Sequence, residues 1–251
     1  MASTKLAPAA TSGLAAMLPE RLLGAAIRRA YPRVEPELAR LAEFVPSGGT
    51  AVDVGAWYGP WTARLLRRAE RVVAVEPTVA LAAQLRSAFP TVEVVEAAVS
   101  DHTGSATLYL PEGGAIVGTS SLEDPTQGAP VPVRRITLDS LDLTDVRFVK
   151  IDIEGHELPA LRGAAETVRR DRPVLLIEVE ERIQPVEPLL DLLTGWGYRG
   201  YVLPDREWVP LADFDLGGHQ REAIVRVGQS FARRVVWPRP RYVNSVLFRP
   251  E

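Results

Sequence analysis

The chain has 251 residues, 46% of them hydrophobic and 24% charged, which is the balance of one large α/β domain with little room for a second. A net charge of −3 provides no global field for nucleic acid or an anionic membrane, so neither is an expected partner. The absence of cysteine excludes a disulfide framework, thiol catalysis and Cys-ligated zinc, and three histidines argue against a His-rich metal centre.

Residues 1–18 are rich in Ala, Ser, Thr and Pro with one lysine, which reads as a flexible tail and not as a signal peptide. Over 19–46, Leu22, Leu23, Ala26 and Ile27, then Leu38, Leu41, Ala42 and Val45, recur at helical spacing, interrupted by Pro32 and Pro36. Two short N-terminal helices are expected there, and their apolar faces suggest a homodimer. No apolar run approaches about 18 residues, so no membrane span is expected and a cytoplasmic location is the default.

The stretch Thr50-Ala51-Val52-Asp53-Val54-Gly55-Ala56-Trp57-Tyr58-Gly59 is an apolar strand that ends in an acid and a glycine turn. A helix over 61–70 is expected to follow it. Strand, glycine turn and helix N-terminus together make a nucleotide-type pocket, although the pattern alone also describes an ordinary turn. A second apolar run, 71–76, ends in Glu76, about twenty residues beyond Gly55. At that offset an acid can accept hydrogen bonds from ribose hydroxyls.

A helix over 78–89 and a strand over 92–97 complete two strand–helix repeats, the signature of a parallel, doubly wound sheet. The rhythm then changes. Strands at 105–110 and 131–138 flank a Gly/Ser/Pro-rich loop at 111–130, so a hairpin insertion over 104–138 is expected, with the loop as a lid. Strands at 146–152, 173–179, 198–203 and 242–248, with helices at 156–169 and 186–194, finish the domain over 47–251. The last strand is expected to run antiparallel. The interval 204–241 lacks a clean pattern, carries Arg221, Arg226, Arg233, Arg234, Arg239 and Arg241, and is assigned to the acceptor side.

Ligands of such sheets lie beyond the carboxyl ends of the strands. Asp53, Glu76, Asp152 with Glu154, and Glu178 with Glu180 all fall there. Like charges gathered in one crevice raise one another's pKa values, which favours a functional reading.

The motifs Val52-Asp53-Val54-Gly55-Ala56 with Gly59, Val75-Glu76-Pro77, Ala98-Val99-Ser100-Asp101, Lys150-Ile151-Asp152-Ile153-Glu154-Gly155-His156-Glu157 and Leu175-Leu176-Ile177-Glu178 closely resemble those of the FkbM family of S-adenosylmethionine-dependent O-methyltransferases. The resemblance implies a Rossmann-like class I methyltransferase fold with a seven-stranded, mostly parallel sheet in the order 3-2-1-4-5-7-6. It implies cofactor contacts at Asp53, Gly55, Ala56, Tyr58, Gly59, Glu76, Pro77, Ala97 and Ala98. Trp57 stands where the family usually has Asn. A nicotinamide dinucleotide is the rival ligand, but Asp53 suits the cationic methionyl end better than a pyrophosphate.

Methyl transfer to oxygen requires an aligned acceptor and removal of its proton. His156 is the expected base, oriented by Glu157 or Glu154, with Asp152 and Glu154 beside it. Asp152, Glu178 and Glu180 offer all-oxygen ligation to Mg²⁺. His102 and His219 read as surface residues. Trp57, Tyr58 and Trp61, with Trp208 and Trp237 in the late insertion, suggest aromatic faces for a carbohydrate. The expected acceptor is therefore a sugar hydroxyl, in an oligosaccharide or glycosylated small molecule. The alternatives are a non-sugar natural product and a non-catalytic protein that binds S-adenosylmethionine.

Overall fold

A computed structural model describes residues 20–110, 122, 129–224, 235–236 and 241–251. The expected tail at 1–18, most of the loop at 111–128, Trp237 and Arg226, Arg233, Arg234 and Arg239 lie outside the described residues.

Helix α1 (Glu20–Ala30) leads through a short 3₁₀ turn to an eight-residue 3₁₀ helix, Pro36–Glu43. Strands β1 (Thr50–Val54), β2 (Arg71–Val75) and β3 (Glu93–Val95) alternate with α2 (Thr62–Leu65) and α3 (Val79–Ala88). Then come β4 (Ala98–Val99), β5 (Gly104–Leu110) and β6 (Ala129–Ile136). The second half holds β7 (Val146–Ile151), α4 (Glu157–Arg162), α5 (Ala165–Asp171), β8 (Val174–Glu178) and α6 (Glu187–Gly195). It finishes with β9 (Tyr198–Val202), β10 (Val209–Pro210), α7 (Leu216–Ala223) and β11 (Ser245–Pro250).

The main sheet has the order β10-β9-β11-β8-β7-β1-β2-β3. It has eight strands where seven were expected. The extra one is the two-residue β10, paired antiparallel to β9 at the edge. Strands β3, β2, β1, β7 and β8 run parallel, and β11 inserts antiparallel between β8 and β9. Every residue of β1 is buried, as befits a central parallel strand covered on both faces. One face carries Val52, Val54, Val149, Leu175 and Ile177 against α4, α5 and α6. The other carries Ala51, Phe148 and Leu176 against Leu38, Leu41, Phe44, Trp61 and Leu85. Strands β4, β6 and β5 form a separate three-stranded sheet, in which β5 and β6 are the expected hairpin. The expected strand at 92–97 is shortened to Glu93–Val95, and the two residues of β4 that follow pair in the other sheet.

Two helices are shorter than their periodicity predicts. After α2 the chain leaves the helix because Arg68 O accepts from Gly48 N and Gly49 O accepts from Glu70 and Arg71 N, tying the segment to the turn before β1. The expected helix 156–169 breaks between α4 and α5. There the Asp139 carboxylate accepts the N–H groups of Glu166 and Thr167 and caps a new helix from outside.

The N-terminal region is part of the fold. Leu23 and Ile27 of α1 pack on Tyr58 and Leu81, so the apolar face behind the dimer expectation is largely used within the chain. Glu37, fully buried, forms an ion pair with Arg241 just before β11. Removing one member of such a pair strands a buried charge at a cost of about 3–5 kcal/mol, whereas an apolar replacement of both is far milder. Glu37→Ala should therefore lower unfolding stability by about that amount in urea titration. The double variant Glu37→Leu/Arg241→Met should recover most of the loss.

Candidate active site

The site begins where β1 ends. Gly55 adopts φ +79°, and a Cβ built there would lie 1.9 Å from the carbonyl oxygen of Asp152. Only glycine permits that approach. Gly55 N and Ala56 N donate to Val75 O, and Asp152 N donates to Val54 O, so the carboxyl ends of β1, β2 and β7 are tied at one point. Beyond them opens a cleft whose empty space, open mouth included, is about 630 Å³.

The lining divides by chemistry. Pro77, Leu81, Ala97, Ala98, Leu108 and Leu122 are apolar, whereas Glu76, Asp152 and Glu154 are acidic, with Gly55 and Trp57 beside them. Glu76 is buried. Its Oε2 accepts from Trp57 N at 3.0 Å and its Oε1 from Thr78 N at 2.9 Å. Burial pushes its carboxyl above the ordinary range, and these N–H groups partly offset the rise.

Next to the cleft, Asp152, Glu154 and Glu178 can each bring one carboxylate oxygen within 4.8 Å of the others. Burial raises the Glu154 carboxyl well above its usual value, and the Asp152 and Glu180 charges add to the rise. Burial and Asp152 do the same to Glu178. Burial pushes Asp152 up too, but the Lys150 ammonium, 2.7 Å from its Oδ2, and a hydrogen bond with Glu178 together outweigh that and hold it below the usual range. Glu154 is also conformationally unusual, with φ +52°. The turn that carries it is braced by Glu157, whose Oε1 accepts from Ile153 N and Gly155 N, and whose Oε2 accepts from Gln184.

Among the expected cofactor residues, Gly55, Glu76, Pro77, Ala97 and Ala98 line the cleft, and the other four point elsewhere. Asp53 is buried with its Oδ2 accepting from Thr62 Oγ1 at 2.5 Å. Ala56 is buried in the core beside Trp61 and Leu85. Tyr58 packs under α1, and its carbonyl accepts from Arg28. Gly59, at φ +75°, makes room for Phe89 and Leu85.

Asp152 and Glu154 line the cleft, but His156 does not. His156 is buried at the start of α4, its Nε2 2.9 Å from Ser100 Oγ. Glu154, in place of Glu180, completes the acidic triad. Glu180 is engaged by Arg182 at 2.5 Å and by Asn244. Trp61 is a core residue stacked on Phe148, and Trp208 packs edge-on to Phe44. His219 accepts from Val243 N, and His102 is an exposed partner of Asp101. Leu81, Leu108 and Leu122 were missed as lining residues. Leu108 and Leu122 belong to the insertion, where strand periodicity gives no sign of what a side chain faces.

The sheet is an open α/β sheet with helices on both faces, and its cleft lies at the carboxyl ends of β1 and β2, where such sheets bind ligands. Residues 53–199, more than half of the chain, match the methyltransferase FkbM domain, and the protein belongs to that family. Family membership implies S-adenosylmethionine as the methyl donor.

Among solved structures, the chain is similar to methyltransferase FkbM from Methylobacillus flagellatus KT, with 18% identity and a TM-score of 0.49. That match covers 80% of this chain but only 43% of the other. An rRNA methylase from Streptococcus thermophilus matches at 11% identity and TM-score 0.43, over 87% of this chain and 97% of that one. A precorrin 8w decarboxylase from Methanobacterium thermoautotrophicum matches at 11% identity and TM-score 0.44, over 86% and 90%. No curated protein matches the chain. Among the described residues, no helix is long and apolar enough to cross a membrane.

Glu157 yields a pH test. Burial outweighs its hydrogen bonds and lifts its carboxyl from 4.5 to about 7. The native state therefore keeps this proton to higher pH than the unfolded chain. The associated stability is fully present below pH 4.5 and is lost as pH rises through about 7. Between pH 5 and pH 8 the wild type should lose about 2–3 kcal/mol relative to Glu157→Gln in urea unfolding.

Proposed function

We propose that the protein transfers a methyl group from S-adenosylmethionine to a sugar hydroxyl, in a polysaccharide precursor or glycosylated metabolite. The observation that carries this reading is the continuity of one cleft, whose lining joins a nucleoside-type wall to two carboxylates. The wall suits the donor. Each Glu76 oxygen accepts a backbone N–H and has a further lone pair for a ribose hydroxyl. Pro77, Ala97, Ala98 and Leu108 offer an apolar slot to adenine. When bound, the donor supplies an activated methyl carbon on a sulfonium.

The chain's own residues must then orient the acceptor and take its proton. An alcohol is a weak acid, so a positioned base is needed. We assign that role to Glu154, which lines the cleft and whose raised pKa makes it a stronger proton acceptor than an ordinary carboxylate. Asp152, kept ionised by Lys150, supplies negative charge beside the reacting centre. His156 becomes a positioning residue. It braces Ser100, which directly follows the wall residues Ala97, Ala98 and Val99.

A second reading has its own observation. Asp152, Glu154 and Glu178 form a hard, all-oxygen donor set suited to Mg²⁺, which would bind the acceptor oxygens and relieve the repulsion among the three acids. We place Glu154 in this set where the sequence pointed to Glu180.

A mass-spectrometric screen of sugars with the donor should yield a product heavier by one methylene. With that acceptor, Glu154→Gln should lower kcat by about 100-fold or more while donor affinity by calorimetry stays unchanged. His156→Ala should keep most of the turnover. A screen without methylated product, or full activity in Glu154→Gln, would overturn the respective assignment. Loss of activity in EDTA that Mg²⁺ restores is the result expected of the cation reading, and indifference to EDTA removes it.

A further inference from the structure

Trp57 carries a cost that its backbone role does not explain. It sits at φ +50°, in the left-handed region where a bulky side chain is strained by about 1–2 kcal/mol. Its N–H donates to Glu76 Oε2 at 3.0 Å, a bond that a glycine or asparagine would make without that strain. The side chain is instead fixed in place. Its ring lies 5.0 Å from that of Tyr58, edge-on, and 5.9 Å from that of Tyr31. The Tyr31 hydroxyl in turn donates to Glu35 Oε1. Trp57 lines the cleft together with Gly55, Asp152 and Glu154.

We propose that Trp57 is a residue by which the cleft favours the sulfonium cation of the methyl donor over the neutral thioether left after transfer, in addition to the Asp152 charge. The inference rests on the assignment of S-adenosylmethionine to this cleft. A sulfonium has no N–H or O–H to donate, so hydrogen-bond acceptors recognise it poorly. The electron-rich face of an indole attracts a cation directly and is the strongest such face among the side chains. Transfer of the methyl group removes the positive charge and with it this attraction. The indole thereby weakens retention of product relative to donor.

The test is calorimetric titration of the full chain with S-adenosylmethionine and with S-adenosylhomocysteine, for wild type, Trp57→Phe, Trp57→Leu and Trp57→Asn. Asparagine tolerates the left-handed conformation, so Trp57→Asn keeps the test alive if the leucine variant fails to fold. The ratio of thioether Kd to sulfonium Kd should fall at least threefold in the leucine and asparagine variants, through weaker sulfonium binding, and should fall less in the phenylalanine variant. An unchanged ratio, including equal weakening of both ligands, overturns the inference and makes Trp57 a plain wall. Wild-type protein that binds neither ligand overturns the cofactor assignment itself, which is a different and recognisable failure.

Discussion

The carboxyl ends of β1 and β7 come together so closely that no side chain fits between them. Gly55 meets the Asp152 carbonyl at a distance that a Cβ would reduce to 1.9 Å, and the same junction is tied to β2 through Val75. This contact sets where Trp57 turns, and Trp57 N fixes Glu76. On the other side it sets where Asp152 and Glu154 enter the cleft. Glu76 on one side and Asp152 and Glu154 on the other face one space because their strands are locked at that point.

The second constraint is electrostatic. Lys150 is buried among Asp152, Asp53 and Glu35. Burial works against its charge, and the three acids together outweigh burial and raise its pKa above the ordinary value. Glu35 comes from the N-terminal region and also accepts from Trp61 Nε1. One ammonium thus joins β1, the acidic turn and the N-terminal cover. With Asp152 held ionised, the cost of crowded negative charge falls on Glu154 and Glu178, whose carboxyls are pushed up. Carboxyl groups of opposite tendency side by side are what proton transfer near neutral pH requires.

Much of this was legible in the sequence because it is encoded locally. Apolar runs that end in Asp53, Glu76, Asp152 and Glu178 mark parallel strands and their carboxyl ends, and the family motifs give the crevice between them. What was not legible depends on partners distant in the chain. His156 looked like a base because of its place after Glu154, yet its neighbour is Ser100. Gly59 looked like a ligand contact, yet it serves Phe89 and Leu85 of the next helix region. Asp53, Tyr58 and Trp61 lie near the glycine turn in sequence, but Asp53 accepts from Thr62, Tyr58 packs under α1 and Trp61 stacks on Phe148, contacts that local sequence does not report. The break between α4 and α5 depends on Asp139, about 25 residues earlier, and no local propensity reports it.

The central claim is that the cleft between Glu76 and Asp152 holds the methyl donor. A crystal structure of the protein grown with S-adenosylhomocysteine tests it most directly. The account predicts ribose hydroxyls on the Glu76 carboxylate, adenine against Pro77, Ala97 and Ala98, and the sulfur on the side of Trp57 and Glu154. A nucleoside bound elsewhere, or a dinucleotide in this cleft in its place, would contradict it.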